Sequence, residues 1–115
     1  MSGMAESQLR WLLHCVHEPA MPSLTILIIE DDAAIRRGIV DALRLAGYDT
    51  LEAATGGEGL DLALSRDYSL LLLDLVLPGP GGMEILSSVR RDRPTVPIIV
   101  LTARGDEAEA VEHIL

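Results

Sequence analysis

Two short apolar runs in this chain each stop at acid, and no other feature constrains its fold as strongly. Leu24-Thr25-Ile26-Leu27-Ile28-Ile29 ends at Glu30-Asp31-Asp32. Leu70-Leu71-Leu72-Leu73 ends at Asp74 and is followed by Leu75-Val76-Leu77-Pro78-Gly79. Unalternated apolar runs of this length, bounded by turn residues, read as strands buried on both faces, and hence as parallel strands. Open parallel sheets take their ligands beyond the carboxyl ends of the strands. The acids at these two ends are therefore expected to converge on one small pocket. Converging carboxylates repel one another by ~4 kcal/mol at ~4 Å and an effective dielectric of about 20. A hard divalent cation removes that cost, and Mg²⁺ is the usual choice where phosphate is also handled.

From residue 24 onward, strand and helix patterns alternate. Asp32 is placed to cap a helix in which Ile35, Ile39, Leu43 and Ala46 share one face, with Gly47 at its C-terminal cap. A short strand is expected at Thr50–Ala53. Thr55-Gly56-Gly57-Glu58 matches a capping box that opens a helix with Leu60, Ala63 and Leu64 inward, although its glycines weaken the start. The third strand is read at 69–74, and Pro78 to Gly82 forms a loop. The next helix turns Met83, Leu86 and Val89 toward the core. Arg90, Arg91 and Arg93 suit the negative end of its dipole. A fourth strand is expected at Val96–Thr102, and a last helix from Asp106 with Ala108, Val111 and Leu115 inward. Such alternation gives a parallel sheet with helices on both faces, an α/β fold.

Composition narrows the function. A chain of 115 residues is expected to form one domain. It contains no Phe, so the core must be Leu, Ile, Val and Ala. A net charge of −9 argues against direct binding of nucleic acid or an anionic membrane by this segment. No run approaches the ~20 apolar residues of a membrane span. Cys15 is the only cysteine, which fits a reducing cytoplasm. Residues 1–22 read as a separate extension, either poorly structured or with one short helix at 7–16, ending in the breaker-rich Glu18-Pro19-Ala20-Met21-Pro22. His14-Cys15-Val16-His17 within it matches no closed four-ligand zinc site.

With these residues placed, the chain from residue 24 to 115 resembles the receiver domain of two-component response regulators. The matching pieces are ILIIEDDAAIR (26–36), LLLLDLVLPGPGG (70–82) and PIIVLTAR (97–104), in the family's order and with family-like separations. The LPGxxG stretch and the TAR segment look most like receivers that precede a winged-helix DNA-binding domain. The resemblance implies a flavodoxin-like doubly wound parallel sheet of order 2-1-3-4. The family's fifth strand, which carries a Lys, and its fifth helix are missing from these 115 residues. The receiver at 23–115 is thus expected to be incomplete at its C-terminus, leaving the Val96–Thr102 strand as an open edge prone to aggregation.

The resemblance also implies a chemistry. Asp74 is the expected phosphoacceptor, taking its phosphoryl group from a histidine kinase or phosphotransfer protein. Glu30, Asp31, Asp74 and the Val76 backbone carbonyl are the expected Mg²⁺ ligands. Thr102 is the expected switch hydroxyl, Ala103 leaves room beside the acceptor, and Val76 and Arg104 flank the pocket mouth. Asp32 is assigned to the helix cap instead, because strand alternation prevents three consecutive carboxylates from facing one site. The expected function is a cytoplasmic signalling module that catalyses at most its own phosphorylation and dephosphorylation. Two alternatives stay open: a degenerate receiver that acts only through protein interaction, and a haloacid-dehalogenase-type phosphohydrolase. The second would need another acid two residues beyond Asp74, where this chain has Val76.

Overall fold

The computed structural model describes Ala5 and residues 24–102. The expected N-terminal helix, the His14–His17 run, Ala103, Arg104 and the helix from Asp106 all lie outside the described residues.

Among the described residues, seven elements alternate: β1 (Thr25–Ile29), α1 (Ala33–Leu45), β2 (Asp49–Ala53), α2 (Gly56–Ser65), β3 (Leu70–Asp74), α3 (Gly82–Asp92) and β4 (Ile98–Thr102). The four strands are parallel and lie side by side in the order β2-β1-β3-β4. This is the expected 2-1-3-4 arrangement of a flavodoxin-like fold. The two acid-terminated runs pair directly, with Ile26 opposite Leu70 and Ile29 opposite Leu73. The connections leave β1 and β3 in opposite directions across the sheet, so a crevice opens between their carboxyl ends.

The central strands β1 and β3 divide their side chains between two cores, as the pleat requires. Leu27, Ile29, Leu71 and Leu73 join Ala63 of α2 and Ile85, Leu86 and Val89 of α3 in the larger core. Ile26, Ile28 and Leu72 face the other way and meet Val40 of α1. Burial on both faces explains why the strands show no polar alternation.

The helix ends follow their sequence signals. The Asp32 side chain accepts a hydrogen bond from the Ile35 N–H at 3.0 Å. At the other end of α1, Gly47 has φ +97°, its N–H bonds the Arg44 carbonyl, and the Tyr48 N–H bonds the Leu43 carbonyl. This pair of bonds is a Schellman closure. Thr55 caps α2 by accepting from the Glu58 N–H at 3.2 Å. A glycine that weakens the start of α2 also has a packing role: a Cβ on Gly59 would lie 2.7 Å from an Ile29 methyl carbon.

Two expectations need correction. Of the expected inward line of α1, Ile39 and Leu43 pack against the smaller core, but Ile35 and Ala46 are exposed. Ile35 is 52% exposed, while Val40 is 2% exposed. The packed side of α1 carries Arg36, Ile39, Val40 and Leu43. Arg36 takes the place in the first turn that an apolar side chain was expected to fill. The fourth strand begins at Ile98 rather than Val96. Pro97 has no N–H to give a ladder, and the Val96 N–H bonds back to the Arg93 carbonyl.

Candidate functional site

Ile29 and Leu73 are register partners, so Glu30 and Asp74 sit level at the ends of adjacent strands. Glu30, Asp31 and Asp74 each offer a carboxylate oxygen, and these oxygens all lie within 4.8 Å of one another. Glu30 and Asp74 are buried, and Asp31 is exposed. The expected convergence of these three acids is therefore present. Asp32 is excluded from it by its capping bond, as expected.

The electrostatics of this corner are strained. The Glu30 carboxyl is pushed up from 4.5 to about 8, first by burial, then by its hydrogen bond with Asp74, then by the charges of Asp74, Asp31 and Asp32. Burial and the surrounding acids thus favour the protonated form of the Glu30 carboxyl. Its second oxygen, Oε2, is buried without a hydrogen-bond partner. Buried polar atoms are nearly always satisfied, so an orphaned oxygen on a carboxylate that clusters with two others marks a place for a positive charge. An all-oxygen donor set suits a hard cation of the Mg²⁺ or Ca²⁺ type.

Asp74 is fixed from two sides. Its Oδ1 accepts from the Val76 N–H at 2.9 Å, and Val76 itself is exposed at the mouth of the pocket. The loop beyond it folds back so tightly that a Cβ on Gly82 would meet the Leu75 backbone and lie 2.6 Å from the Asp74 carbonyl oxygen. Glycine at this position lets α3 start directly over the end of β3.

Thr102 ends β4 opposite Asp74, but only because the ladder is irregular. Leu73 pairs with Val100, yet Asp74 pairs with Thr102, so Leu101 is an extra residue in β4. A bulge of this kind re-aims the residues beside it. A regular ladder would put Leu101 opposite Asp74. Nothing in the sequence pattern announced this shift.

Sequence reasoning also missed Arg36. Its Nη1 donates to the Glu30 carbonyl at 2.7 Å, and its Nε pairs with Glu52 Oε1 at 3.2 Å. The available signal was a basic residue placed on the turn of helix that follows the acid pair.

The geometry can be set beside known proteins. Residues 26–114 match the response regulator receiver domain family. The chain is 43% identical over 96 residues to the phosphate regulon transcriptional regulatory protein PhoB of Pseudomonas aeruginosa, a match covering 82% of this chain and 42% of that protein. It thus spans about two fifths of that relative's length. A CheY-like receiver domain protein from Methanospirillum hungatei superposes with a TM-score of 0.73 at 30% identity, covering 80% of this chain and 75% of the other. A response regulator from Burkholderia pseudomallei, solved with a phosphorylated aspartic acid, a calcium ion and citrate, superposes with a TM-score of 0.69 at 25% identity. That match covers 80% of this chain and 54% of the other. Among the described residues, no helix is long and apolar enough to cross a membrane. Sheet order, the acid corner between β1 and β3, and these matches agree: the chain belongs to the response regulator receiver domain family.

Proposed function

We propose that this receiver accepts a phosphoryl group on Asp74 from the phosphohistidine of a histidine kinase or phosphotransfer protein. One observation carries the reading: Asp74 ends the central strand β3 with its carboxylate among those of Glu30 and Asp31 at the crevice between β1 and β3. A carboxylate oxygen of Asp74 attacks phosphorus, the bond from phosphorus to the imidazole nitrogen breaks, and the electron pair leaves with the imidazole. The product is an acyl phosphate on Asp74. Such transfers depend mostly on positioning and charge neutralisation.

Glu30, Asp31 and Asp74, with the Val76 backbone carbonyl, are the groups that would hold Mg²⁺. When bound, the ion neutralises the carboxylates and the incoming phosphoryl oxygens. The Val76 N–H orients the Asp74 carboxylate, and Glu30 gives up its proton when the cation enters. Thr102, at the register position opposite Asp74, would bond a phosphoryl oxygen through its hydroxyl. The Burkholderia relative, with its phosphorylated aspartic acid and calcium ion, supports this chemistry.

The chain acts as a signalling module in this reading, not as an enzyme on a free metabolite. The Pseudomonas relative's name as a transcriptional regulator supports an output through a DNA-binding domain and a cytoplasmic setting. The net charge of −9 supports DNA contact by such an output domain rather than by this segment. Acetyl phosphate with Mg²⁺ should add one phosphoryl group, read as a shift in intact mass, and Asp74→Asn should remove it. Equal acid-labile phosphate on Asp74→Asn would overturn the assignment.

A further inference from the structure

We propose that Arg36 is a positioning residue for the cation pocket, acting through the peptide that joins Glu30 to Asp31. The inference rests on the Mg²⁺ reading of that pocket and adds to it a residue that lies outside the carboxylate set.

The Glu30 carbonyl belongs to the peptide unit from which both candidate ligand side chains diverge. Arg36 Nη1 donates to that oxygen at 2.7 Å. The same guanidinium is anchored by its Nε on Glu52 at 3.2 Å. The other side of Glu30 is tied to the neighbouring residue of the same strand, because the Glu30 N–H donates to the Ala53 carbonyl at 3.2 Å. Two adjacent residues of β2 thus hold Glu30, one through a backbone bond and one through Arg36. Only 17% of the Arg36 side chain is exposed, so the guanidinium works in a partly dry setting where its fork geometry is well defined. The peptide plane cannot rotate without breaking the 2.7 Å bond. Loss of that bond would free the strand end that bears the Glu30 and Asp31 carboxylates to shift relative to Asp74.

This role has a sign that separates it from charge alone. Arg36 is a cation near a site for a cation. If it acted only through its charge, its removal would tighten Mg²⁺ binding. If it acted only on stability, its removal would lower the unfolding midpoint and leave the affinity alone. Positioning predicts weaker binding despite the loss of a positive charge.

The test is a calorimetric Mg²⁺ titration of the purified chain, with urea unfolding in the absence of metal run alongside. Arg36→Met keeps the length of the stem and loses every donor. It should weaken Mg²⁺ binding about tenfold or more, the scale typical of groups that orient metal ligands. Arg36→Lys retains one donor and should bind with intermediate affinity, which also carries the test if Arg36→Met does not fold. Arg37→Met removes a neighbouring exposed positive charge and should not weaken binding. Unchanged or tighter binding by Arg36→Met, or by Arg36→Lys where it stands alone, would overturn the inference while the pocket itself stands. A parent chain that takes no Mg²⁺ would overturn both the pocket and the inference.

Discussion

Glu30 and Asp74 stand at the ends of adjacent parallel strands, both buried, with carboxylate oxygens within 4.8 Å of each other. Burial and the neighbouring Asp74 push the Glu30 carboxyl up to about 8. The relationship makes the cation-free site a proton site, and its consequences are measurable.

The first is a pH dependence of stability. The folded Glu30 binds its proton more tightly than the unfolded residue, so the folded state holds more protons between about 4.5 and about 8. Stability therefore falls as pH rises through that window, and it is greatest at the acid end. One unit of pKa displacement corresponds to about 1.4 kcal/mol, so the total is of order a few kcal/mol. In EDTA, urea midpoints should fall from pH 5 to pH 8 in the parent, and Glu30→Gln should flatten the trend. A parent midpoint that rises across the window would contradict the protonated Glu30 carboxyl.

Cation binding should release that proton. At pH 7, Mg²⁺ binding should liberate close to one proton, read from calorimetry in buffers of different ionisation enthalpy. Asp31→Ala should abolish the Mg²⁺-dependent rise in unfolding midpoint, since a ligand that favours the folded state stabilises it by mass action. Because Asp31 is exposed, the same change should alter metal-free stability by only about 0.5 kcal/mol. An Asp31→Ala chain that still gains stability from Mg²⁺ would place the cation elsewhere.

Asp32 provides the contrast. Its carboxylate is engaged by the Ile35 N–H. Asp32→Ala should cost about 1 kcal/mol in urea unfolding, the usual worth of a helix cap. Its Mg²⁺ affinity should stay near that of the parent. A large loss of affinity would mean that three acids, not two, follow the first strand into the pocket.

Gly82 tests the packing over the acceptor. A Cβ there would collide with the Leu75 backbone and the Asp74 carbonyl. Gly82→Ala should lower stability by about 1–3 kcal/mol, the range for forced overpacking. It should weaken Mg²⁺ binding as well, because the strand end that must move carries Asp74. Full affinity in Gly82→Ala would show that the loop yields without disturbing the acceptor.

Much of this architecture was legible because burial on both faces of the sheet leaves a strong mark. The runs ending at Glu30 and Asp74 carry no polar alternation, and a parallel sheet is the ordinary solution for such strands. Once two acids end neighbouring strands, their meeting follows from topology. The caps at Asp32, Gly47 and Thr55 were legible because each depends on local chain geometry alone. The extra residue at Leu101 was not, since it is set by how β4 docks on β3 and leaves no compositional trace. Arg36 was missed for a related reason. Its partners, the Glu30 carbonyl and Glu52, lie on two different strands, and the sequence shows only a charged residue where the apolar stripe of α1 was expected. The exposure of Ile35 is the other side of that substitution.

The central claim is that Asp74 receives the phosphoryl group, and mapping the label after transfer tests it most directly. A phosphorylated histidine kinase or a small phosphodonor is incubated with the chain and Mg²⁺, and the acyl phosphate is trapped and located by peptide mass spectrometry. The label should fall on the peptide containing Asp74, require Mg²⁺, and vanish in Asp74→Asn. Label on another residue of the parent, or equal label without Mg²⁺, would contradict the account.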